Sequence, residues 1–205
     1  MSNQPPERIP YTMTTVPAFV FFRNDYHLVQ FIGALGDHAG NILRPFVPLI
    51  ADLTFCRAVD NYLAYISDLL TLIYKTTPGG KKPKKLSHLG ILEQDKYVKD
   101  HLNFAILDGN TDLEQIGRIV EIRNLFTHDR GIISPRFLER VPGFTGRAGE
   151  PIQIPIAHVA TDLVFLQKSV QNIDFRAGQA FDIPRTCPLF SRPPKSQSNS
   201  WICSS

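Results

Sequence analysis

The segment from Pro48 to Lys75 constrains this chain more than any other. Phe55, Val59, Tyr62, Ile66, Leu69 and Ile73 recur at spacings of three and four residues, and Leu63 and Leu70 widen the stripe. That period is helical. An apolar stripe so wide has to be covered on more than one side, so the chain around it must supply several packing partners. Pro78, Gly79 and Gly80 end the helix.

Those partners read as further helices. Residues 1–20 hold four prolines and few helix formers, which predicts an extended N-terminal arm. A helix is expected from Asn24 to about Leu43, carrying Leu28, Phe31, Ile32, Leu35 and Ile42 and weakened by Gly33, Gly36 and Gly40. Another is expected from His88 to Leu102, followed by the turn "LDGNTD" at 107–112. Asn110, Thr111 or Asp112 can cap the next helix, placed at 112–128. Gly131 sits near its C′ position, and a short helical turn then runs to Pro142. "FTGRAGEP" reads as loop, "IQIPI" at 152–156 as a short extended segment, and 157–176 as a last helix with Ala157, Ala160, Leu163, Val164, Leu166, Val170 and Ile173. From 183 the chain turns proline- and serine-rich and is expected to be a disordered tail, with Trp201 in it. At 205 residues and 43% hydrophobic content the chain suits one domain with a real core. The expected fold is all-α: a bundle of about five helices over 21–182, with a short extended segment and the tail.

Charge and cysteine content exclude little but narrow the field. A net charge of +3 permits nucleic-acid binding without arguing for it. The only dense basic run is "KKPKK", holding Lys81, Lys82, Lys84 and Lys85. It reads either as a solvated loop or as a loop that contacts RNA phosphates. Cys56, Cys187 and Cys203 form no CxxC pair and imply unpaired thiols in a reducing compartment. The polar N-terminus has no secretory pattern and "VPAFVFF" is too short to span a bilayer, so no membrane association and a cytoplasmic location are expected. His27, His38, His88, His101 and His158 are scattered without metal-ligand spacing, and no metal or cofactor is expected. Asp60 and Asp68 either line a cleft or mark the edges of the long buried stripe.

"EIRNLFTHDRG", residues 121–131, concentrates the chemistry. At about 100° per residue, Ile116, Ile119, Ile122 and Phe126 gather on one face of the 112–128 helix, while Glu121, Asn124 and His128 share another. Arg123 lies on the flank of the apolar stripe, and about 140° separates it from His128. One straight helix does not aim the two at one point. Either the helix loosens before His128, or a second copy of the chain completes the site about a two-fold axis. The residue types suit metal-independent RNA cleavage. A histidine takes a proton from the ribose 2′-hydroxyl or gives one to the leaving oxygen. An arginine holds the phosphate and its growing negative charge, and an asparagine orients either. The same residues also serve as the polar end of a core helix, or as a phosphate-binding or dimer-forming patch without catalysis.

"RNLFTH", with "IVEI" before it and "DRGII" after it, resembles the HEPN superfamily, whose members carry Arg, four to six residues, then His. The resemblance extends over 24–182, taking in the long helix at "CRAVDNYLAYISDLL" and the late helix that ends near "NIDFRAGQAFDI". It implies an α-helical bundle that forms a homodimer with the motif at the dimer cleft, and metal-independent endoribonuclease activity on RNA. It makes Arg123 and His128 the catalytic pair, Asn124 their polar assistant and Glu121 a supporting residue. It also implies a role in toxin–antitoxin or antiviral, abortive-infection systems, with an antitoxin or regulatory protein as possible partner. A subgroup paired with nucleotidyltransferase antitoxins has Tyr two residues after the His. Arg130 stands there in this chain and puts that pairing in doubt.

Overall fold

The fold, seen in a computed structural model that describes residues 14–38 and 44–185, is an all-α bundle. Six α-helices follow one another among the described residues: α1 Val16–His38, α2 Val47–Thr76, α3 Ile91–Leu102, α4 Gly109–His128, α5 Pro135–Arg140 and α6 Ile156–Ala180. Two short 3-10 turns, Arg44–Phe46 and Lys84–His88, precede α2 and α3. The sixth helix beyond the five expected is α5, which sequence predicts only as a helical turn. The predicted long helix is α2 within a residue at each end, and it packs against α1, α4 and α6. Its stripe is the middle of the core: Phe55, Val59, Tyr62, Ile66, Leu69 and Ile73 are all buried. The Tyr62 hydroxyl, inside that core, pairs with Ser169 Oγ of α6 at 3.2 Å.

The extended arm expected over 1–20 is corrected from Val16 onward, where α1 already runs; residues 1–13 lie outside the described chain. Thr15 starts this helix. Ala18 N donates to its Oγ1 at 3.4 Å and Phe19 N to its carbonyl at 3.0 Å. Pro17 falls in the first turn, where a missing N–H costs nothing. Thr15 also donates through its backbone N (3.2 Å) and its hydroxyl to the buried Asp174 of α6. Arg185 Nη2 reaches the same carboxylate at 3.5 Å. One carboxylate therefore holds the start of α1 and the chain just after α6, and the packed chain continues to Arg185 with Ile183 buried. The tail expected from 183 otherwise falls on residues 186–205, outside the described chain, as do Cys187, Trp201 and Cys203.

The stretch from α4 to α6 is where boundaries move most. α4 starts at Gly109 with Asp108 as N-cap, ahead of the predicted Asn110, Thr111 or Asp112. Its end is reversed by Arg130 (φ 56°) and Gly131 (φ 74°), and Gly131 N donates to Leu125 O at 3.0 Å. A Cβ on Gly131 would stand 3.2 Å from the Phe126 ring, so both backbone angle and space favour glycine there. The chain then pairs with itself. Ile133 N donates to Glu150 O and Ile152 N to Gly131 O, each at 2.8 Å, around an Ile132–Pro151 bridge. The extended segment predicted at 152–156 is thus displaced toward 149–152, and Ile156 already belongs to α6. Pairing across the 131–133 return stops extension at Ile152, and Pro155 then caps α6. No helix among the described residues is long and apolar enough to cross a membrane.

Candidate functional site

α4 packs against α2, and its Ile116, Ile119, Ile122 and Leu125 are all buried. The predicted stripe carried Phe126 in place of Leu125; Phe126 is only partly buried. This moves the buried arc away from Arg123 and leaves that side chain at the edge of the α2–α4 seam. The long guanidinium stem can follow the seam while its head reaches water. The head meets Asp60 of α2. Arg123 Nε donates to Asp60 Oδ1 at 2.8 Å, and Nη2 lies 2.6 Å from the same oxygen. On the other side Nη1 donates to Asn124 Oδ1 at 3.1 Å. The predicted Arg123 and Asn124 are therefore joined, and Asp60 completes a group of three across two helices.

This arrangement orients the guanidinium without exhausting it. Of the five N–H donors of an arginine, one from each terminal nitrogen has no partner among the described residues. The Arg123 side chain keeps 22% of its surface exposed and Asp60 keeps 42%. Free donors on both terminal nitrogens of a held guanidinium can bind phosphate or carboxylate oxygens. Cys56, one turn before Asp60, is a poor nucleophile here. Burial and the Asp60 carboxylate push its thiol up to about 11.

His128 is the exposed last residue of α4 and Asn124 is half-buried one turn before it. The hydrogen bonds at the helix end and the 131–133 return fix the backbone that carries the imidazole, while the ring faces solvent. Glu121 is drawn elsewhere. Arg140 Nη1 of α5 donates to its two carboxylate oxygens at 3.0 and 3.3 Å. The polar stripe predicted from the wheel exists, but its members do two jobs: Asn124 supports Arg123, and Glu121 ties α4 to α5. Along the same face a cavity of about 840 Å³ opens beside Gly117 between α3, α4 and the end of α5, lined by Leu92, Leu113, Arg118, Arg140 and Val141. Arg118 is paired with the buried Asp162 of α6 at 2.7 Å.

The basic run does not act as one unit. Lys82 Nζ donates to the Ser67 carbonyl (3.1 Å) and hydroxyl (3.0 Å) of α2, which anchors the loop to the bundle. Lys81, Lys84 and Lys85 are exposed. Asp68 is exposed. Sequence reasoning left Asp60 as one of two undecided carboxylates. Its spacing within α2 carries no sign of the contact, because its partner lies 63 residues away. Comparison of the chain with protein-family models, with curated proteins and with solved structures gives no match.

Proposed function

We propose that this protein is a metal-independent endoribonuclease of the HEPN type, with Arg123 and His128 as its catalytic pair and Asn124 as their assistant. The observation that carries the reading is the Asp60–Arg123–Asn124 group, which holds a guanidinium ready with free donors one turn from an exposed histidine. A ribose 2′-oxygen attacks the adjacent phosphorus, and a His128 imidazole takes its proton. Negative charge grows on the non-bridging oxygens and meets the free N–H groups of Arg123. The 5′-oxygen leaves and takes its proton from water, so one arginine and one histidine suffice, and a two-fold pair of chains can supply them to one cleft from different copies. The products are a 2′,3′-cyclic phosphate and a 5′-hydroxyl. The nucleophile comes from the substrate, so no activated serine or cysteine is required. In this reading the protein serves as a toxin or antiviral effector held in check by a partner protein.

Support for the second copy comes from α2. Leu49, Leu53, Cys56 and Asp60 follow one another at spacings of four, three and four, so they lie along one line of the helix. Leu49 and Leu53 are 58% and 62% exposed, and Phe46 just before them is 54% exposed. That apolar strip runs directly to the Arg123–Asp60 pair. Two strips meeting about a two-fold axis would bury it and bring two motifs to one cleft.

One observation favours a second reading. Asp60 neutralises Arg123 within the chain, as a purely structural ion pair would. In that case the domain is a non-catalytic dimeric module that binds a nucleotide or a protein partner. The two readings separate on one substrate pair. A ribo-oligonucleotide and its 2′-deoxy counterpart are incubated with the protein in chelator. The nuclease reading predicts cleavage of the first alone, with cyclic phosphate ends. Intact RNA, with nucleotide binding retained, leaves the second reading.

A further inference from the structure

We propose that the surface built by the Lys84–His88 turn and α3 docks single-stranded nucleic acid, with a base stacked on His101 and phosphates held by Lys81, Lys84 and Lys85. The proposal rests on the RNA reading above but uses none of the motif residues. Residues 81–101 contain six lysines against Glu93, Asp95 and Asp100. Two of those acids are already committed. Asp95 is buried and accepts from Leu107 N at 2.9 Å, while Glu93 Oε2 accepts from Gly90 N at 3.0 Å at the start of α3. Six lysines against three carboxylates still leave the segment basic, with as much net positive charge as the whole chain carries, +3.

The aromatic groups are ordered as well as charged. The Lys85 ammonium sits 4.1 Å from the centroid of the Tyr97 ring. The His101 imidazole stacks on Tyr97 at 3.8 Å with 17° between the planes. A cation and a stacked ring at such distances cannot share one face, so Tyr97 is sandwiched and the column ends in His101. His101 Nδ1 donates to the Tyr97 carbonyl one turn back at 2.8 Å, which fixes the ring. Nε2 is then the nitrogen turned away from the helix, and the residue is exposed. A flat π-surface presented to solvent at one end of a column whose other end is the Lys85 ammonium suits a single-stranded base and its phosphate. Lys82 is excluded from this role by its bonds to Ser67.

The test measures binding of the full chain to a fluorescent, short 2′-O-methyl oligouridine, which 2′-hydroxyl attack cannot cleave. Affinity is expected to fall with salt. The combined variant Lys81→Gln, Lys84→Gln, Lys85→Gln should weaken binding and reduce the log–log salt slope by about 2, at about 0.7 per phosphate contact. His101→Ala should weaken binding by about tenfold through lost stacking. All four side chains are exposed, and unchanged circular dichroism and melting confirm that the variants fold. Binding equal to wild type in both variants overturns the proposal, as does a wild type that binds anionic vesicles but no oligonucleotide. Failure of the nuclease reading looks different: RNA stays intact while patch-dependent binding persists.

Discussion

Among single residues, Arg123 is held from two sides, by Asp60 of α2 and by its neighbour Asn124. Arg123 and Asn124 are neighbours in sequence and the structure joins them, while the chemistry proposed for them and His128 rests on their residue types and spacing. Asp60 was not legible in the sequence, because only the packing of α4 on α2 reveals which carboxylate the guanidinium meets. Glu121 shows the converse: the wheel puts it on the His128 face, while its bond to Arg140 of α5 is invisible to a one-helix projection. In the proposed site Asp60 orients the guanidinium. Asp60→Asn keeps a hydrogen-bond acceptor but removes the charge, and the fork should swing or shift. RNA cleavage should fall by about ten- to a hundredfold. The melting temperature should move little, since a half-exposed ion pair contributes under about 1 kcal/mol. Glu121→Ala should leave the cleavage rate within about twofold of wild type. An assay on one defined RNA checks both; a Glu121→Ala effect as large as that of Asp60→Asn would return Glu121 to the site.

Among the helices, α2, α4 and α6 were readable from period alone, because each buries a stripe that repeats over many turns. The ends were harder. Prolines near the N-terminus suggested an arm, yet Thr15 and Pro17 together begin α1. The return at 131–133 depends on pairing with residues almost twenty positions away, which no local pattern encodes. The α1–α6 seam carries a further consequence. Asp25 is fully buried there, with Gln167 Nε2 donating to one oxygen at 2.6 Å and its Oδ1 without a partner. Burial pushes this carboxyl up to about 6 from 3.8, the Gln167 bond offsetting only part. The folded protein therefore holds that proton more tightly than the unfolded chain does. Stability from this group is full below about pH 4 and is lost as pH rises through about 6. The loss is on the order of 3 kcal/mol at most, at 1.36 kcal/mol per unit. Asp25→Asn should make the fall of the denaturant midpoint between pH 4 and 6 less steep than in wild type, with Asp52, raised to about 6 by burial, keeping part of it. A wild-type midpoint that rises across this window, and keeps its slope in the variant, would contradict the assignment.

For the whole molecule, the proposed cleft calls for two chains. Arg123 and His128 lie about 140° apart around α4, and the exposed strip of Phe46, Leu49 and Leu53 leads from open surface to the Arg123–Asp60 pair. Leu49→Glu with Leu53→Glu should give a folded monomer in sedimentation and lower cleavage at least tenfold, because like charges would face each other across the two-fold axis. A variant that remains dimeric and active would place the interface elsewhere. The sharing of one cleft is tested most directly by complementation. Arg123→Ala and His128→Ala chains are assayed alone and after mixing and reassociation, with one RNA in chelator. Each alone should cleave at least a hundredfold more slowly than wild type. The mixture should recover a substantial fraction of the wild-type rate, because a mixed dimer keeps one arginine and one histidine in the common cleft. Wild-type rates in either variant alone, or a mixture no more active than its components, would contradict the account.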